Sequence, residues 1–113
     1  MLLTEPGDLV IPAPVTAEVD YLLRRRSGSA AARAFLADLA AAALLVESLT
    51  VEEHGLALET GDRYSDLDVG LADLSIVVLA HRLKTDRVLT FDHRHFGAMR
   101  TIAGRAFRIL PAS

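Results

Sequence analysis

The chain has 113 residues, a net charge of −3 and 51% hydrophobic residues, which make one domain able to bury about two thirds of its unfolded surface. The acidic balance and the 5% aromatic content argue against a broad basic nucleic-acid surface and against a base-stacking platform, whereas an acidic metal site remains open because bound cations offset its charge. No apolar stretch reaches the roughly 18 residues of a membrane span, no basic segment with a cleavage site opens the chain, and the absence of cysteine removes thiolate metal sites and fits a reducing cytoplasm.

Asp8 to Ile11 reads as a short buried strand stopped by Pro12 and Pro14. Thr16 is placed to cap a helix running through Arg26, with Val19, Leu22 and Leu23 as its apolar face. Ser27, Gly28 and Ser29 form a stop and restart, and a second helix runs from about Ser29 to Ala43 with Phe35, Leu36 and Leu39 inward. Leu44 to Leu49 is a strand. Thr50 and Glu53 then make a capping box for a third helix ending near Gly61. Tyr64 to Gly70 is a loop that offers Asp66 or Asp68 as the next cap. The helix from about Val69 to Leu83 is apolar almost all round, which marks it as central. Arg87 to Asp92 and Phe107 to Leu110 are the last strands. The alternation predicts a single α/β domain, a sandwich with a mainly parallel sheet.

Ligands of such sheets bind beyond the carboxyl ends of the strands, and three acids converge on that edge. Asp92 ends a strand, Glu18 follows the first strand by one short connection, and Asp73 lies in the first turn of the central helix. A shared cluster of hard oxygen donors suits Mg²⁺ or Mn²⁺. Taken alone, Glu18 or Asp73 reads better as a helix cap or dipole partner; Asp66 and Asp68 read as caps, with a peripheral metal or water contact as the alternative. His93, Arg94 and His95 follow Asp92, with a solvated loop, a phosphate contact by Arg94 or His95, and a transition-metal site as the alternatives. Arg24, Arg25 and Arg26 close a helix, where cations complement the dipole or meet RNA or an acidic partner. Arg82, Lys84 and Arg87 form a weaker cluster of the same kind. Tyr21 and Leu22 are expected in the core, with a dimer or antitoxin groove as the alternative.

The segments A-E-V-D-Y-L-L at 17–23, G-L-A-D-L-S-I-V-V-L-A at 70–80 and L-T-F-D-H-R-H-F at 89–96, in that order, resemble the PIN-domain family and within it the VapC-type toxin ribonucleases. The resemblance spans nearly the whole chain and implies a three-layer α/β/α fold. It also implies Mg²⁺- or Mn²⁺-dependent cleavage of RNA, inhibition of translation in the cytoplasm and neutralisation by a cognate VapB-like antitoxin. A homodimer is expected, with no membrane association. Glu18, Asp73 and Asp92 then match the family's second, third and fourth acids, and Thr90 the hydroxyl residue two before the last. Asp73 and Asp92 are the expected ligands, direct or through water, with Glu18 positioning metal-bound water; Thr90, Arg94 and His95 are the expected substrate contacts.

The family's first strand, central in the sheet and carrying its first Asp, has no counterpart. Residues 1–6 resemble instead the tail of the helix before the second strand, and Leu74 stands where a small residue is common. The expectation is a domain incomplete at its N-terminus, through a misplaced start or a real truncation. With three acids this form is expected to cleave RNA weakly or not at all. The alternative function is a catalytically inactive remnant acting only as an antitoxin- or protomer-binding module.

Overall fold

Short strands and helices alternate along the chain as the sequence requires. The computed structural model describes residues 1–5, 7–90 and 93–110. Its strands are β1 (Leu2–Leu3), β2 (Leu9–Pro12), β3 (Leu45–Glu47), β4 (Arg87–Leu89) and β5 (Arg108–Leu110). Its helices are α1 (Ala13–Ser27), α2 (Ser29–Ala40), α3 (Val51–Arg63), α4 (Leu71–Leu83) and α5 (His93–Ala98), with a 3₁₀ turn at Ser65–Leu67.

The sheet has the order β3-β2-β1-β4-β5. β2 pairs in parallel with β3, and β4 with β5, while β1 is antiparallel to both β2 and β4. Four of the five strands therefore point one way, and the carboxyl ends Pro12, Glu47, Leu89 and Leu110 share one edge. The expected gap at the centre of the sheet is filled by the segment expected to be helical. Leu2 pairs with Val10 on one side and Val88 on the other, Leu89 N–H donates to Met1 O at 2.8 Å, and Thr85 Oγ1 donates to Leu3 O at 2.7 Å. Two residues suffice because both neighbours satisfy their backbone groups. No hydrophobic period marks so short a strand.

α4 is the spine. Leu74 to Ala80 are all buried, and Ile76, Val77 and Leu79 pack with Leu2, Ile11 and Val88 of the sheet and Val15 and Phe35 of α1 and α2. Phe96 of α5 meets Phe107 edge-on at 5.4 Å. The capping box forms as expected, with Glu53 N–H donating to Thr50 Oγ1 at 3.1 Å and Thr50 N–H to Glu53 Oε1 at 2.9 Å.

Several local expectations are corrected. α1 begins at Ala13, before Thr16, because a proline in a first turn forfeits no helical hydrogen bond. Thr16 Oγ1 instead donates to Ala13 O at 2.6 Å. Neither Asp66 nor Asp68 caps α4: its N-cap is Gly70, Asp66 lies in the 3₁₀ turn, and Asp68 adopts a left-handed conformation at φ 51°. Tyr21, Leu22 and Leu36 face outward, with Tyr21 56% exposed, since α1 and α2 bury only one stripe each. β3 is an edge strand whose three residues are all exposed. Among the described residues no helix is long and apolar enough to cross a membrane.

Candidate functional site

The strand directions place the start of α1 and the start of α4 at the carboxyl edge, since each helix either leaves β2 there or descends from there towards β4. Asp73 is the third residue of α4. A carboxylate in that turn is favoured by the helix dipole and by backbone N–H groups that lack helical acceptors. Its side chain is 22% exposed, and its Oδ2 lies 3.0 Å from Nδ1 of His95, whose side chain is 21% exposed. α5 makes that meeting possible: Phe96 on the helix and Met99 just after it are buried in the core, which turns His95 towards α4. His95, expected as a phosphate contact, is thus also the partner of Asp73. A 22-residue separation hides that pairing in the sequence, and nothing local signals it.

The amino terminus also lies near Asp73. The Met1 ammonium donates to Leu89 O at 3.1 Å. Burial holds its pKa down at about 6, against the opposing pull of the Asp73 charge.

Glu18 lies in the second turn of α1, exposed, and among the described residues it makes no hydrogen bond or ion pair. Asp92 falls outside the described residues. Thr90 continues the β4–β5 ladder, its N–H donating to Leu110 O at 3.0 Å, and Arg94 is exposed on α5. The described residues thus join Asp73 to His95, leave Glu18 apart on α1, and form no group of three carboxylates or imidazoles able to hold a metal ion. Asp73 Oδ1 accepts no hydrogen bond among them. A carboxylate oxygen left over on a partly exposed side chain is a donor that fits a hard cation, which needs one or two direct carboxylates and keeps its remaining waters.

The opposite end of α4 holds charge of another kind. Arg82 donates through Nε to Glu53 Oε2 at 2.9 Å, through Nη1 to Glu47 Oε2 at 3.2 Å, and through Nη2 to Ser48 O at 2.6 Å and to Glu53 Oε1. The Arg82 hydrogen bonds hold the Glu53 carboxyl at a pKa of about 2, against an ordinary value of 4.5. This network ties the edge strand and the start of α3 to the spine. Of the three cations clustered in the sequence, Arg82 is thus structural, whereas Arg87 pairs with Glu5. At the end of α1, Arg24 pairs with Asp20, and Arg25 both donates to the Tyr21 hydroxyl and covers its ring.

Residues 2–101 match the PIN domain. Ribonuclease VapC26 of Mycobacterium tuberculosis is 40% identical over 103 residues, which cover 91% of this chain and 76% of that protein. The crystal structure of VapC20 from the same organism, a toxin that cleaves the sarcin–ricin loop, superposes with a TM-score of 0.70 at 23% identity, over 80% of this chain and 70% of that one. The fold is shared with that structure.

Proposed function

The chain belongs to the PIN-domain family and is of the VapC type; from that premise we propose that it is the ribonuclease toxin of a toxin–antitoxin pair. It hydrolyses RNA phosphodiesters with a divalent cation, Mg²⁺ or Mn²⁺, in the cytoplasm, and is silenced by a VapB-like antitoxin. The observation that carries the reading is the Asp73–His95 pair at the carboxyl edge, in a chain 40% identical to a VapC ribonuclease.

Asp73 and Asp92 would hold the cation, and Glu18 would orient the attacking water. A bound divalent cation supplies activation of water and neutralises charge on the scissile phosphate. His95 fixes the rotamer of Asp73 by occupying Oδ2, the role that partners of metal-binding carboxylates commonly play. Thr90 and Arg94 meet the phosphate. The chain works as a homodimer.

One observation favours a second reading, that of a non-catalytic module binding an antitoxin or another protomer. The central strand β1 consists of Leu2 and Leu3 and brings no carboxylate to the edge, so catalysis through the remaining acids is expected to be slow. Incubating purified chain with total RNA in Mg²⁺ or Mn²⁺, with and without EDTA, separates the two. Slow, EDTA-sensitive cleavage lost in Asp73→Asn supports the ribonuclease; no cleavage, together with retained antitoxin binding, supports the module.

A further inference from the structure

The edge of the sheet opposite Asp73 carries a cleft of about 440 Å³. It opens where α4 ends and where β4 and β5 begin, closed on one side by the turn at 101–105. Four cations line it, Lys84, Arg87, Arg105 and Arg108, against two carboxylates, Glu5 and Asp86. That leaves +2 in a chain whose net charge is −3. Both acids are already engaged, Glu5 by Arg87 at 2.8 Å and Asp86 by Arg108 at 2.7 Å. Glu5 is 87% exposed, so its pair is weak and open to exchange. Among the described residues Lys84 and Arg105 have no ion-pair partner.

The two uncommitted cations are held in place by backbone. Lys84 caps α4 in the left-handed conformation at φ 55°, where glycine would carry no steric cost, and Thr85 N–H donates to Ala80 O at 3.0 Å. Thr101 N–H donates to Arg105 O at 2.8 Å, and Arg105 N–H to Thr101 Oγ1 at 2.9 Å. Eleven residues of α4 separate Lys84 from Asp73, about 16 Å of helix rise. That is about two Debye lengths at physiological salt, so the acids of the carboxyl edge do not neutralise the cleft.

We infer that this cleft binds the phosphodiester backbone of RNA at the sheet edge opposite Asp73. The inference rests on the ribonuclease reading above for its substrate. The lining chooses between anions: its only apolar members are Ala80 and Ala103, so it lacks the aromatic or large aliphatic anchors that carry protein interfaces. Phosphates need only charge and N–H donors.

The test is fluorescence anisotropy of a labelled, single-stranded, mixed-sequence RNA in EDTA, where cleavage is off. Lys84→Glu with Arg105→Glu is expected to weaken binding by about tenfold or more and to reduce the slope of log K against log salt by about 1.4, the value for two lost phosphate contacts. Lys84→Gln with Arg105→Gln, which adds no charge, shows a smaller loss in the same direction. Arg33→Glu with Arg63→Glu, the same charge change at exposed positions outside the cleft, is expected to lose far less. Cleavage of the same RNA by the wild type in Mn²⁺ is read separately, so absent cleavage counts against the ribonuclease reading while the binding assay alone decides the cleft. Wild-type affinity in Lys84→Glu with Arg105→Glu, an equal loss in the control pair, or tighter binding of polyglutamate than of RNA would overturn the inference.

Discussion

The two ends of α4 carry opposite kinds of charge chemistry. At its C-terminal end the Arg82 guanidinium is engaged on every side by Glu53, Glu47 and the Ser48 carbonyl, and the Glu53 pKa falls to about 2. At its N-terminal end Asp73 meets one imidazole nitrogen through one oxygen, while its other oxygen accepts no hydrogen bond among the described residues. A charge satisfied inside the chain holds structure together. One left partly unsatisfied at the ligand edge of an α/β sheet is set for something that arrives from outside. Substitutions at the two ends should therefore separate activity from stability.

The largest effect is expected from Asp73→Asn. RNA cleavage should fall by at least about 100-fold, or about 2.7 kcal/mol of transition-state stabilisation, with little change in a urea denaturation curve. His95→Ala should lower cleavage by about 10- to 100-fold, the range for a residue that orients a metal ligand; raising Mn²⁺ should recover part of the loss, which kinetics at several metal concentrations will read.

Arg82→Ala should act the other way round. It should cost about 1–2 kcal/mol of stability, a modest figure because the network is partly solvated, while the folded fraction keeps its cleavage rate. The same pair predicts a pH effect. The Glu53 pKa is lowered on folding from 4.5 to about 2. Its contribution is therefore fully present above pH 4.5 and is lost as pH falls towards 2. Denaturation across that window should be steeper in pH for wild type than for Arg82→Ala; parallel curves would break the assignment. The smallest effect is expected from Thr50→Ala, about 1 kcal/mol by loss of the cap, measured by the thermal midpoint.

Much of this arrangement was legible in the sequence, and what was not has a common cause. The strands at 9–12, 45–47, 87–89 and 108–110, the Thr50–Glu53 box and the apolar run of α4 follow from local period and capping chemistry, and each appears within a few residues of its expected place. Their order placed Asp73 and Glu18 towards the carboxyl edge. The placement of Leu2 and Leu3 was not legible, because a two-residue strand is defined only by its neighbours on both sides. The outward turn of Tyr21 and Leu22 was hidden because α1 is apolar around more of its circumference than it buries. The pairing of His95 with Asp73 depends on α5, a six-residue helix anchored by Phe96 and Met99, and no periodicity is readable over so few residues.

The central claim is that Asp73 is a working acid rather than a helix-end charge. Cleavage of total RNA in Mn²⁺ by equal amounts of wild type and Asp73→Asn, both verified as folded, tests it most directly. Wild type should cleave slowly, EDTA should abolish that cleavage, and Asp73→Asn should lack it. Cleavage by Asp73→Asn at the wild-type rate, or cleavage undiminished in EDTA, would contradict it.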